Sequence, residues 1–376
     1  MDFKQIKHNL ASTPAYIFDE NVILNNLTEL VDLKKQSGCR VLYSIKALPL
    51  KKVLELAKDS LDGLSVSSLY EAQLASEVLK GSGSIHITTP GLRDNEYQQI
   101  TELCSHISFN SISQYQRLQA KTSPSPSLGF RVNPKLSFSK DLRFDPCRPY
   151  SKLGVAIDDL TNIPDNIQGL HIHTVFSKTH YEALEKTVNL LEQKLAHPLN
   201  HLKWLNLGGG YLYHHINNHQ PFIDIVKRLK SNYALDIFIE PGKAIVGNAG
   251  YLVTEVIDCF ISDNKHIVVL DTSVNHNPEI FEYQKKPELI ESNKQGEFSC
   301  LLVGSSCLAG DVFGEYTLKK SPKVGDRLVF ANVGAYSLIK ANRFNGYNLP
   351  DIYWLDRNNT VSLLKQSDYQ DYRKQW

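Results

Sequence analysis

Four residue types, spread over about two hundred positions, could together do chemistry on an amino group. Lys46 closes the apolar stretch VLYSIK (41–46). A lysine held in a low-dielectric site loses part of its preference for the charged form and becomes a nucleophile. The same lysine fits a strand end whose stem lies on apolar surface while the ammonium reaches water. GGG at 208–210 follows WLNL. Bare backbone of this kind lets amides approach a phosphate, and it equally fits a tight turn with positive φ. Glu240 precedes Pro241 and Gly242 in IFIEPG (237–242). A carboxylate there needs a partner, either a protonated ring nitrogen or a neighbouring lysine. His173 ends GLHIHT (169–174), as a packed core histidine or as a flat surface over a planar ring. Lysine, phosphate cradle and ring-facing carboxylate match pyridoxal 5'-phosphate. Its aldehyde takes an amine, its phosphate takes amides, and its ring withdraws electrons while the nitrogen is protonated.

Such residues converge only if repeated elements carry them to one face. Eight strand-like runs supply that repetition: VLYSIK (41–46), GLSVSS (63–68), IHITTP (85–90), ISFN (107–110), LGFRVNP (128–134), GLHIHT (169–174), WLNLGGG (204–210) and IFIEPG (237–242). Most precede an amphipathic segment such as LKKVLELAKDSL or HYEALEKTVNLLEQKLA. This alternation predicts an α/β fold of the (β/α)8 TIM-barrel type, with a doubly wound open sheet as the other arrangement it permits. Lys46, Ser67, Ser68, Thr89, Asn110, Arg131, His173, Gly208 to Gly210 and Glu240 all fall at carboxyl ends of these runs. In a barrel those ends share the face where active sites form. Beyond Gly242 the rhythm changes to short β-type runs, YLVTEVIDCFI, HIVVLD, FSCLLVG, DRLVFAN and TVSLLK. The expected division is a barrel over 19–246 and a β-sandwich or β-barrel domain from 1–18 and 247–376. TSPSPS (122–127) reads as an exposed loop.

Composition limits the remaining possibilities. With 376 residues, 42% hydrophobic, the chain can bury a large core and a second module. Forty-one basic against 40 acidic residues give a formal charge of +1, which argues against a nucleic-acid polymer or a membrane surface as partner. No apolar run approaches the roughly 18 residues of a membrane span, and MDFKQIKHNL lacks an apolar signal core, so a cytoplasmic protein is expected. Cysteines 39, 104, 147, 259, 300 and 307 show neither CxxC nor Cys/His clustering, so no metal site or disulfide framework is expected.

The chain resembles the fold type III decarboxylases built on the alanine racemase and ornithine decarboxylase type of barrel, and most closely the carboxynorspermidine decarboxylase family. TPAYIFD, YSIKA, SSLYEA, FNSISQ, FRVNP, DPCRPYSKLG, GLHIHT, LNLGGG, IEPGKA, GSSCLAGDVFGEY, VGDRLVF, GAYSL and FNG carry the resemblance, GSSCLAGDVFGEY most specifically. It implies a two-domain homodimer with shared active sites. Lys46 would be the Schiff-base lysine, His173 the ring-stacking residue, Gly208, Gly209, Gly210 and Tyr336 phosphate contacts, and Glu240 the partner of the pyridine nitrogen. Cys307 and Asp311 would come from the other subunit. Cys307 would protonate the substrate carbon once carbon dioxide has left; by sequence alone it equally fits an inert thiol.

Three positions bear on substrate. Lys243 in EPGKA and Ser177 in HTVFS stand where the carboxynorspermidine enzymes carry acids, while Glu279 in NHNPEI keeps an acidic position expected to meet substrate. Two lost carboxylates and one gained cation suit a phosphate-bearing substrate. The expectation is therefore removal of the α-carboxylate from a 3-amino-3-carboxypropyl group on a peptide-nucleotide intermediate, as in the microcin C-type branch of antibiotic biosynthesis. The alternatives are carboxynorspermidine or carboxyspermidine decarboxylation in polyamine biosynthesis, decarboxylation of diaminopimelate, racemisation of an amino acid on the same fold, a class I aldolase-type barrel, and a pseudoenzyme that only binds cofactor or partner.

Overall fold

The computed structural model describes residues 6–7, 9–122, 126–160 and 162–376. Residues 123–125 of the TSPSPS stretch and residues 1–5 and 8 of the opening segment lie outside the described residues. Two compact units divide the chain: Asn25–Ile245, and Met1–Leu24 together with Val246–Trp376.

In the first unit the predicted strands form a closed parallel barrel. They are β1 (Arg40–Ser44), β2 (Gly63–Val66), β3 (Ser84–Thr88), β4 (His106–Phe109), β5 (Ser127–Asn133), β6 (Ile167–Ile172), β7 (Trp204–Asn206) and β8 (Asp236–Ile239). Each pairs in parallel with the next, and β8 returns to β1 with Phe238 opposite Arg40. Closure excludes the open sheet. Helices cover the outside, so the strands are buried on both faces and read as near-continuous apolar runs. Helix Lys51–Ser60 shows the fit, burying Val53, Leu54 and Ala57 along one stripe. Between β5 and β6 a loop over 134–154 replaces the long helix found after β6, Glu182–Leu199.

The amino-terminal end of the barrel is filled by large rings. Trp204, Leu42 and Phe238 form a buried cluster, with His86 and His106 stacked beside them at 3.8 Å between centroids. Gly129 and Gly169 make room for the indole, since a Cβ on Gly169 would meet Trp204 at 2.0 Å. With this end packed solid, open space is left at the carboxyl ends of the strands.

The second unit is built on a nine-stranded sheet. Strand Ala15–Asp19 pairs antiparallel with the 13-residue strand Gly250–Ser262 and parallel with Asp351–Leu355. The five β-type runs beyond Gly242 are all strands in it. Gly250–Ser262 bends at a bulge between Val256 and Asp258, so it pairs with Lys265–Leu270 along its far half and with Arg327–Ala331 along its near half. Among the described residues no helix is long and apolar enough to cross a membrane, and no side-chain group could hold a metal ion.

Candidate active site

Lys46 lies just past β1 rather than within it. The strand ends at Ser44, whose N–H donates to the Pro241 carbonyl at 3.0 Å, and Ile45–Ala47 form one turn of 3-10 helix. Ile45 and Ala47 point into the core, so the intervening side chain points the other way. It stands exposed in a cavity of about 510 Å³ within the barrel unit. The dense surroundings of that cavity lower the ammonium's pKa; the Glu240 charge opposes this shift and Arg131 adds to it.

Glu240 lines the same cavity from the end of β8 and is 8% exposed. Burial opposes its ionisation, but the neighbours outweigh burial and hold the carboxyl below the usual range: His171, by charge and hydrogen bond, then Lys46 and Asn206. His171 Nε2 lies 3.2 Å from one oxygen and Asn206 Nδ2 donates to the other at 2.8 Å. Burial also lowers the pKa of His171. The Glu240 charge and hydrogen bond push that pKa the other way, and Nδ1 is buried with no hydrogen-bond partner among the described residues.

His173 follows on the same side of β6, two residues beyond His171. Its Nδ1 accepts the Gly209 N–H at 3.1 Å. An atom that accepts from a backbone amide carries no proton, which agrees with a pKa driven well below the ordinary value by burial and by Lys46 and Arg131. The ring is therefore neutral and fixed. The glycines after β7 are sterically required: a Cβ on Gly208, Gly209 or Gly210 would meet the carbonyl oxygens of Ile172, Glu240 or Val175 at 2.3, 2.2 and 2.2 Å, and Gly208 and Gly210 have φ of +67° and +95°. Asn206 Oδ1 accepts the Gly208 N–H at 2.9 Å, tying this turn to the Glu240 network.

Of the polar strand ends read from the sequence, the cavity gathers Lys46, Ser67, Thr89, Arg131, His173 and Glu240. Ser68 instead caps helix Leu69–Leu79. Asn110 is structural, holding the Lys152 carbonyl and the Gly154 N–H at 2.7 and 3.0 Å. Lys243 opens helix Lys243–Val246 and places Nζ 6.0 Å from the Phe176 ring centre. Sequence reading missed His171 and Asn206. The spacing of two in HIH was a usable signal for His171, since alternate strand residues share a face. It also missed the 134–154 loop, which contributes Phe144 and Arg143 to the lining.

The remaining candidates lie in the sheet unit. Glu279 begins helix Glu279–Tyr283. Tyr336 has φ of +63°, with its phenol pushed up to about 12 by burial and, secondarily, by Glu279. Cys307 is exposed on a turn, its N–H donating to Asn345 Oδ1 at 2.9 Å. Asp311 in the same turn is 3% exposed, accepts the N–H groups of Val274 and Ser306 at 2.8 and 3.1 Å, and pairs with the Ser306 hydroxyl. Its carboxylate is committed within its own unit.

The family described as "Pyridoxal-dependent decarboxylase, C-terminal sheet domain" matches residues 15–334. The chain belongs to the pyridoxal-dependent decarboxylases. A carboxynorspermidine/carboxyspermidine decarboxylase of Campylobacter jejuni is 34% identical, covering 96% of this chain and 97% of its own. A carboxyaminopropylagmatine decarboxylase of Synechocystis is 32% identical, covering 96% and 94%. The crystal structure of the Campylobacter jejuni carboxynorspermidine decarboxylase complexed with norspermidine superposes with a TM-score of 0.88 at 31% identity, covering 97% of this chain and all of that one. This decarboxylase is therefore a carboxy-lyase that uses pyridoxal 5'-phosphate, which decides against the racemase, aldolase and pseudoenzyme alternatives. The relatives also bear on the substrate expectation. Their names are of the polyamine type, siding with that alternative over the peptide-nucleotide intermediate.

Proposed function

We propose that this decarboxylase removes the α-carboxylate of a 3-amino-3-carboxypropyl group carried on a polyamine-type amine, as in carboxynorspermidine or carboxyspermidine. The observation that carries the reading is an ionised, buried Glu240 in one cavity with Lys46, an amine already biased toward its neutral form. The names of the relatives support the substrate class.

The residues present fit the cofactor. Lys46 would hold its aldehyde carbon, Glu240 its ring nitrogen and His173 a face of the ring, with Gly208 to Gly210 at the phosphate. The clash of any Cβ at the three glycines and the buried carboxylate, held by one hydrogen bond on each oxygen and so still able to accept another, are the structural grounds for this fit. When bound, the cofactor supplies a conjugated ring that accepts the electron pair released as the carboxylate leaves. Glu240 keeps a negative charge in the cavity and so favours a protonated nitrogen beside it. His171 and Asn206 stop that carboxylate from turning away. Neutral His173 adds a flat surface without adding positive charge. Cys307 Sγ–H is the candidate donor of the proton that replaces carbon dioxide on Cα, supplied in this reading by the second copy of a homodimer. Asp311 acts by holding the Cys307 turn. The net change is one carboxylate lost as carbon dioxide and one proton gained at the same carbon.

The test is release of carbon dioxide from carboxynorspermidine and carboxyspermidine by the purified, cofactor-loaded protein. Stereochemical inversion without release, or release only from a phosphate-bearing conjugate, would overturn the proposal.

A further inference from the structure

The outer wall of the cavity comes from the 134–154 loop. Phe144 lines the cavity and is stacked on Phe176, with centroids 5.5 Å apart and planes 23° apart. Arg143 sets its guanidinium carbon 5.3 Å from the Phe144 centroid. Asp141 grips that guanidinium, accepting from Nε at 3.1 Å on each oxygen and from Nη2 at 2.7 Å. A cation thus lies on an aromatic face at the cavity wall with a carboxylate beside it, all within four consecutive residues.

The wall is held more firmly than the cation. Asp145 accepts the Cys147 N–H at 2.9 Å and bonds the Ser137 hydroxyl, while Asn110 and Asn133 hold the far end of the loop by the Lys152 and Leu153 carbonyls. The Arg143 and Asp141 side chains are 59% and 42% exposed. An ion pair that exposed contributes little, so exchanging Arg143 for another cation at Asp141 changes little in that pair. The two carboxylates in the lining are already engaged, Glu240 by His171 and Asn206 and Asp145 by its own loop.

We infer that the Phe144 ring and the Asp141 carboxylate form a subsite for the distal cation of the substrate, a terminal ammonium or guanidinium, and that Arg143 fills it until substrate displaces it. The inference rests on the decarboxylase reading of the same cavity and adds where the far end of the substrate is held. Cation–π contact and a carboxylate are the two attractions such a terminus seeks, and Arg143 demonstrates that the geometry accepts one.

Titration calorimetry of norspermidine and of agmatine into the protein, with and without cofactor, tests it and separates ammonium from guanidinium. Phe144→Leu and Asp141→Asn should each weaken binding of at least one of the two about three- to tenfold, and Arg143→Ala should tighten it. In turnover, Phe144→Leu should raise KM for carboxynorspermidine at least threefold more than for 2,4-diaminobutanoate, which lacks a distal cation. Weaker binding in Arg143→Ala, or equal KM changes for the two substrates in Phe144→Leu, would overturn the subsite. Absence of carbon dioxide from every substrate with the unmodified protein would instead sink the substrate reading, with the calorimetry still deciding the subsite.

Discussion

His171 and Glu240 meet at 3.2 Å, both almost fully buried, one at the end of β6 and the other just beyond β8. This pairing, completed by Asn206, keeps an ionised carboxylate in a cavity that it shares with the cations Lys46 and Arg131.

Glu240→Gln keeps the shape and removes the charge. Because Glu240 raises the pKa of Lys46 against the effect of burial, its removal should lower that pKa further. Borohydride trapping of an aldehyde on Lys46, followed against pH, should show its midpoint moving down. Turnover should fall by at least about a hundredfold. An unmoved midpoint would contradict the electrostatic link.

Lys46→Ala should abolish turnover and the visible absorbance of the cofactor-loaded protein, whereas Cys307→Ala should keep the absorbance and lose about two to four orders of magnitude in turnover. Mixing the two inactive variants tests the dimer. If sites are shared, half the random dimers are mixed and each regains one of its two sites, so activity should recover to about a quarter of the original. No recovery under subunit exchange would place both residues of one site on a single copy.

Gly208→Ala forces a Cβ to within 2.3 Å of the Ile172 carbonyl at a backbone φ of +67°. The variant should lose roughly 1–3 kcal/mol of stability and bind cofactor more weakly. Chemical denaturation and cofactor titration measure the two effects.

The stacked pair His86 and His106 makes the barrel acid-sensitive. Burial lowers both, His86 well below its ordinary value and His106 to about 4. Their folded-state pKa lies below that of the unfolded chain, so the unfolded chain binds more protons below about pH 6.5. Stability is complete above that pH and declines as pH falls toward 4, by at most roughly 1.4 kcal/mol per pH unit for each histidine. Urea midpoints at pH 7 and pH 5 should differ less in His106→Gln than in the unmodified protein.

The strand-helix rhythm, the polar strand ends and the change of texture beyond Gly242 were all legible along the chain. A parallel barrel writes its core as apolar runs and its active face as the residues that end them. Lys46, His173 and Glu240 could be picked out because each interrupts such a run, and the relatives bear out the cofactor they suggested. What linear order could not show was how ends of different strands meet. Asn206 looked like an ordinary strand residue and Asp311 like a substrate contact. Only folding sets the first against Glu240 and gives the second the N–H groups of Val274 and Ser306. The 134–154 loop carries no periodicity, so its role as a cavity wall waited on the tertiary structure. Hydrophobic periodicity reports which face of an element is buried, whereas the partners of a buried polar atom depend on distances between segments far apart in sequence.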